Sequence, residues 1–298
     1  MGFKKSLKEL ALKTRRFLEE EPQSVPFDNA YPWLGYIFHE LMKDPICRRK
    51  PMYIWGTVQG VALGKILAMD RISVIEFGVG GGGGLISLEH IGEILQSKLE
   101  IAIDVFGFDT GVGLPRPRDY RDQPNMWVEG QLPMKIDRLK CQLHHAHLIL
   151  GLVKDTIPVF LKELPSPIAF VSFDLDLYHS TRDALSLFKA EYKCLLPRVI
   201  CYFDDIIGHT YNDSAGERLA ISEFNCTNLK RKISPIYGLK YFVPGRYSRE
   251  FYWDLFYYAH FFEHPLYNTL DSINKAMYVD EQGKALRVPV HSKWKEHI

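Results

Sequence analysis

Short apolar runs alternate with longer stretches of helical apolar spacing through the middle of the chain. Five runs rich in β-branched and aromatic residues, 73–77, 101–109, 146–153, 168–173 and 198–203, predict strands. Between them, 85–99, 134–143, 158–164 and 180–193 carry apolar residues at the spacing of a helix face and predict helices. Parallel strands need a crossover, and a helix is the usual one, so this order implies an α/β fold with a doubly wound, mostly parallel sheet. Upstream, Leu7, Leu10, Leu12, Phe17 and Leu18 mark a surface helix over 4–21, a Pro-containing connector spans 22–32, and further helices are expected at 33–42 and 52–69. Downstream, 215–224 reads as helix and 232–243 holds two β-prone runs that can close a sheet edge. The chain is thus expected to divide into a helical extension (1–70), a ligand-binding core (71–244) and a C-terminal extension (245–298). The aromatic density of that extension, Phe251-Tyr252-Trp253 through Phe261-Phe262, suggests packing, self-association into a homo-oligomer, or covering of a substrate.

Composition narrows the partners. A chain that is 46% hydrophobic and 24% charged is globular, and a formal net charge of +1 gives no broad attraction to nucleic acid or anionic lipid. No apolar stretch is long enough to span a membrane, and the first residues lack the uninterrupted apolar core of a signal peptide. The five cysteines are scattered without a C-x-x-C pair, as expected of reduced thiols in a cytoplasmic protein.

The chemistry gathers where strands end. After Ser73-Val-Ile-Glu-Phe comes Gly78-Val-Gly80-Gly81-Gly82-Gly83-Gly84, a glycine turn that lets a ligand approach the backbone at a helix start. Glu76 at this position would repel a pyrophosphate and attract the sulfonium and ammonium of S-adenosyl-L-methionine. Glu76-x-Gly78-x-Gly80-x-Gly82 resembles the first motif of class I S-adenosylmethionine-dependent methyltransferases. Asp109, ending the second strand, suits a ribose or simply starts a turn. Asp155 suits an adenine or caps the next helix. Asp174-Leu-Asp176 and Asp204-Asp205 close the fourth and fifth strands. Alternation would put Asp174 and Asp176 on one side with Asp204 and Asp205 beside them. Such a cluster calls for a cation or for raised carboxyl pKa values, and oxygen donors favour Mg²⁺, with Ca²⁺ or Mn²⁺ as alternatives. Helix capping is the alternative, although a cap needs one Asp per helix rather than two. His144, His145 and His147 are poorly spaced for a metal and suit packing or the surface. His179 and His209, beside the acids, suit a proton relay or an ordinary polar role. The charged stretch 116–122 suits a lid or a solvated loop.

Several longer segments share one resemblance. Phe108-Asp-Thr-Gly-Val-Gly-Leu-Pro115, Asp155-Thr-Ile-Pro158, Asp174-Leu-Asp-Leu-Tyr-His-Ser-Thr181, Asp204-Asp205 and 216–224 are similar to the macrocin and mycinamicin sugar O-methyltransferase family, over about 73–224. Gly111 stands where that family carries an aromatic residue. The resemblance implies a seven-stranded Rossmann-like methyltransferase sheet, with Asp174, Asp204 and Asp205 as metal ligands and Asp176 as general base; His179 is a second catalytic candidate by its position beside these acids. S-adenosyl-L-methionine would be the donor, held by Glu76, Gly78, Gly80, Gly82, Asp109 and Asp155, and the acceptor a hydroxyl of a small diol-like molecule or sugar. A metal-dependent nucleotide-sugar transferase using Asp174-x-Asp176, and a non-catalytic binding protein that has kept the fold, are the alternatives.

Overall fold

The computed structural model describes residues 32–208, 211–242 and 247–268. The helix expected over 4–21, His209 and the chain beyond 268 lie outside the described residues. The elements run α1 (Pro32–Lys43), α2 (Pro51–Ile66), β1 (Arg71–Phe77), α3 (Gly83–Leu99), β2 (Ala102–Asp109), α4 (Ile136–Lys140), β3 (His147–Leu150), α5 (Val153–Lys162), β4 (Ile168–Phe173), α6 (Tyr178–Ala184), β5 (Leu195–Phe203), α7 (Gly216–Thr227), β6 (Arg231–Pro235) and β7 (Phe256–Phe261). They form a seven-stranded sheet in the order β3-β2-β1-β4-β5-β7-β6. β1 to β5 are parallel, and β7 runs antiparallel to both β5 and β6. The expected α/β, mostly parallel, doubly wound sheet is therefore present. Its order reverses between β1 and β4, where open sheets of this kind bind ligands.

Strand burial follows from the two covered faces. β4, Ile-Ala-Phe-Val-Ser-Phe, is buried at every position, as expected of a strand sandwiched between helix layers. On one face Tyr53 of α2 packs against Phe170 and Tyr202. On the other, Phe108, Phe77, Phe173 and Phe203 stand at one register level across β2, β1, β4 and β5. Their neighbouring centroids are 4.8, 5.5 and 4.5 Å apart. Each is the last or next-to-last residue of its strand, so the acids and glycines begin where this aromatic row ends.

Two expectations fail. The sheet edge takes one strand, β6, from 232–243, whereas Leu239–Phe242 is a 3-10 turn. The seventh strand comes instead from the aromatic segment and inserts between β5 and β6, so a division at residue 244 falls between two paired strands. The helix expected over 180–193 starts at Tyr178 and tightens into 3-10 geometry at Leu185–Lys189, placing Leu185, Leu187 and Phe188 in the core.

The aromatic segment is packing material. Trp253 is fully buried, stacks on Phe256, and meets Phe38 of α1 and Trp55 of α2, while its indole N–H donates to the Tyr247 carbonyl at 2.7 Å. It ties the helices preceding the sheet to the last strand. Trp253→Ala is expected to cost about 3–5 kcal/mol of stability, measured by chemical denaturation.

Candidate functional site

At the carboxyl ends of β1, β2 and β4 lies a cavity of about 540 Å³, within the ~300–1,000 Å³ typical of small-molecule sites. Its floor is Glu76. The side chain is 1% exposed; Tyr53 OH donates to its Oε1 at 2.7 Å, and Ser172 Oγ donates in turn to the Tyr53 oxygen at 3.0 Å. Oε2 is buried without a hydrogen-bond partner. Burial pushes the Glu76 carboxyl up to about 8, opposed by the Tyr53 hydrogen bond and by the Lys50 ammonium.

The glycines serve two purposes. A Cβ at Gly78, where φ is +84°, would sit 1.7 Å from the Asp174 carbonyl oxygen, and one at Gly84 would sit 1.8 Å from Glu76 Oε1. These two are bare because neighbouring groups fill the space. Gly80, Gly81 and Gly83 face open space and line the cavity with Gly78 and Gly84. Gly82, expected at the ligand, instead abuts Leu139 of α4, where a Cβ would come within 2.4 Å, and it does not line the cavity.

Asp109 lines the cavity and also orders its rim. Its Oδ2 accepts from the Gly80 N–H at 2.9 Å and its Oδ1 from the Gly111 N–H at 2.6 Å, so the turn role is real whatever the ligand. Asp155 does not reach the site. In the first turn of α5 its side chain is 62% exposed and pairs with Lys154 at 2.8 Å, while Gly151 and Val153 take the cavity wall. The turn after β3 faces the cavity with its glycine, and the helix carries Asp155 outward.

The acid cluster forms, with different members. Oxygens of Asp174, Asp176 and Asp205 all lie within 4.8 Å of one another. Asp204 is not among them; its Oδ1 accepts from Tyr202 OH at 2.8 Å. Strand alternation does not bring the first two together, because β4 stops at Phe173 and Asp176 adopts the left-handed conformation (φ +61°). That turn is pinned by Asp205, whose Oδ2 accepts from the Asp176 N–H at 2.9 Å and whose Oδ1 accepts from Tyr211 OH at 2.8 Å. The Asp205 N–H donates to fully buried Glu217, whose other carboxyl oxygen has no partner. Burial, and then mutual repulsion, push the carboxyls of Asp174 and Asp176 upward. Burial pushes those of Asp205 and Glu217 up as well. Hard oxygen donors, an excess of negative charge and a non-glycine residue held in a rare conformation fit a divalent cation.

His179 lies off the main cavity, bordering a smaller adjoining recess. Its Nδ1 is 2.7 Å from Asp122 Oδ2, and its backbone N–H donates to Asp122 Oδ1 at 2.9 Å. Asp122 belongs to the stretch expected as lid or solvated loop, and it is buried. Nearby, Arg121 lies over the Tyr178 ring at 4.6 Å, and Tyr178 OH donates to Glu223 at 2.6 Å. The stretch is therefore anchored to α6 and α7, and His179 serves that anchoring. His144, His145 and His147 are exposed, as expected of surface histidines; the backbone N–H groups of the first two donate to Glu89, and the His147 ring stacks on Phe106. A second cluster of potential ligands, Asp44, Cys47 and His90, is explained by Asp44 accepting from the backbone N–H groups of Ile46 and Cys47.

Tyr53, Lys50, Asp122, Tyr211 and Glu217 carry no individual signal in the sequence. Only the Tyr53–Glu76 pairing had a legible precursor, since a buried carboxyl needs a donor.

Folded-state values above the unfolded ones for Glu76, Asp174, Asp176 and Asp205 mean that the folded chain holds extra protons above the ordinary carboxylate range. Their stabilising contribution is complete below that range and is lost as pH rises toward about 8. In cation-free buffer the melting temperature is expected to fall across this window, and Asp174→Asn to flatten the fall in thermal melts; an unchanged slope would contradict the mutual repulsion.

No protein-family model matches the chain, and neither does any curated protein. Among solved structures, the chain is similar to CalS11, a calicheamicin methyltransferase, at 20% identity over 69% of this chain and 87% of that one, with a TM-score of 0.46. An O-methyltransferase from Bacillus cereus in complex with SAH matches at 15% identity over 75% and 90%, with a TM-score of 0.34. A putative O-methyltransferase from Klebsiella pneumoniae matches at 15% identity over 76% and 96%, with a TM-score of 0.36. Among the described residues no helix is long and apolar enough to cross a membrane.

Proposed function

We propose that the protein is an S-adenosyl-L-methionine-dependent, divalent-metal-dependent O-methyltransferase acting on a hydroxyl of a small molecule, a sugar or other diol-like acceptor. The observation that carries this reading is the floor of the cavity: a buried glutamate with one unpartnered oxygen beneath glycines that leave open space. A dinucleotide pyrophosphate would oppose ionisation of this carboxyl, whereas a sulfonium and an α-ammonium would favour the carboxylate and be drawn to it. The acid cluster supports the metal, with Asp174, Asp176 and Asp205 as its holders.

When bound, the donor supplies an electrophilic methyl group and the cation a Lewis acid that makes a coordinated hydroxyl more acidic. The remaining work falls to the chain. Asp176 belongs both to the cavity wall and to the acid cluster, which supports a role in which a carboxylate oxygen left free by the cation takes the acceptor's proton. Asp205 holds the Asp176 turn in place through the Asp176 N–H. Asp109 fixes the glycine turn and leaves carboxylate lone pairs for a ribose. Fixing an acceptor oxygen in line with the methyl contributes to the rate apart from any acidity.

Calorimetric titration with S-adenosylhomocysteine and with a nucleotide sugar, each with and without Mg²⁺, tests the reading. Heat from S-adenosylhomocysteine, with Mg²⁺ raising the melting temperature in the wild type and not in Asp174→Asn, is the expected result. Heat from the nucleotide sugar alone would overturn it. Asp176→Asn should retain donor binding and lower turnover by roughly a hundredfold or more, measured as S-adenosylhomocysteine release with sugar, diol and catechol acceptors.

A further inference from the structure

The cavity assigned to the donor has one basic side chain on its wall. Lys50, the residue before α2, lines it with four acidic groups, Glu76, Asp109, Asp174 and Asp176. The lysine is half-buried, its Nζ 5.3 Å from the centroid of the Tyr53 ring whose hydroxyl holds Glu76. It makes no ion pair with a carboxylate among the described residues, yet it lies near enough to Glu76 and Asp174 to favour the charged form of each. An ammonium and carboxylates lining one cavity are together complementary to a zwitterion.

We propose that Lys50 is a positioning residue that recognises the α-carboxylate of the methyl donor, while Glu76 and Asp174 attract its α-ammonium. The proposal rests on the donor assignment above. It adds a specificity: the site selects the intact amino-acid end and discriminates against adenosyl thioethers that lack the carboxylate. An ammonium that acted only to temper the acidic field would show no such preference. Without Lys50 every ionisable side chain lining the cavity is acidic, so the loss should appear in binding before any chemistry.

The test compares S-adenosylhomocysteine with its decarboxylated analogue, titrated calorimetrically into the wild type, Lys50→Gln and Lys50→Arg. Loss of a charge-assisted hydrogen bond should weaken S-adenosylhomocysteine binding to Lys50→Gln by roughly tenfold to a hundredfold. The decarboxylated analogue should bind that variant as well as the wild type or more tightly, because a repelling ammonium has gone. Retained analogue binding also shows that the variant is folded, and Lys50→Arg should recover most of the S-adenosylhomocysteine affinity. A loss of less than about twofold for S-adenosylhomocysteine, or an equal loss for both ligands, overturns the proposal and leaves the donor assignment standing. Failure of the wild type to bind either ligand overturns the donor assignment itself, and the role of Lys50 with it.

Discussion

The row of Phe108, Phe77, Phe173 and Phe203 sets the level at which the sheet stops and the chemistry starts. Each aromatic contact contributes about 0.5–1.5 kcal/mol beyond area burial, and the four rings are fully buried at one register level across four strands. The residues that follow them, Asp109, Gly78, Asp174 and Asp204, are therefore delivered to one edge at one height. The row also faces Phe160 of α5 and Phe188 after α6, which fix the depth of the sheet against its helix layer. The preceding rung, facing the opposite way, carries Glu76 and Ser172, so one side of the strand ends is greasy and the other holds a polar floor.

This scaffold offsets an electrostatic cost concentrated above it. Buried Glu76, Asp176, Asp205 and Glu217 sit close to Asp174 and Asp204, and burying charged groups without counterions is unfavourable. The left-handed backbone at Asp176 adds a further ~1–3 kcal/mol. Local rules are broken where a ligand is expected to repair them, while the surrounding sheet obeys the same rules throughout.

Much of this was legible in the sequence, for identifiable reasons. Ile168–Phe173 was read residue for residue because a strand covered on both faces is a continuous apolar run. The glycine turn and the paired aspartates announced themselves as composition. The errors arose where position depends on a turn or a distant segment. Asp176 joins Asp174 through a left-handed residue and not through strand parity, and Asp204 is drawn aside by a tyrosine on its own strand. Gly82 looks like its neighbours in sequence, yet Leu139 of α4 occupies the space beside it. Tyr53 and Lys50 come from a helix and its preceding residue that carry no motif, and only tertiary packing brings them beneath the glycines.

The order of the last two strands has a consequence for how the protein is made. β7 pairs with β5 on one side and β6 on the other, although it follows both in the chain. As the polypeptide leaves the ribosome, the outer edge of β5 stays without its partner, and β6 has no place in the sheet, until Phe261 has emerged. A nascent chain stalled before that point presents an open row of backbone donors and acceptors, the kind of surface on which unfinished chains pair with one another.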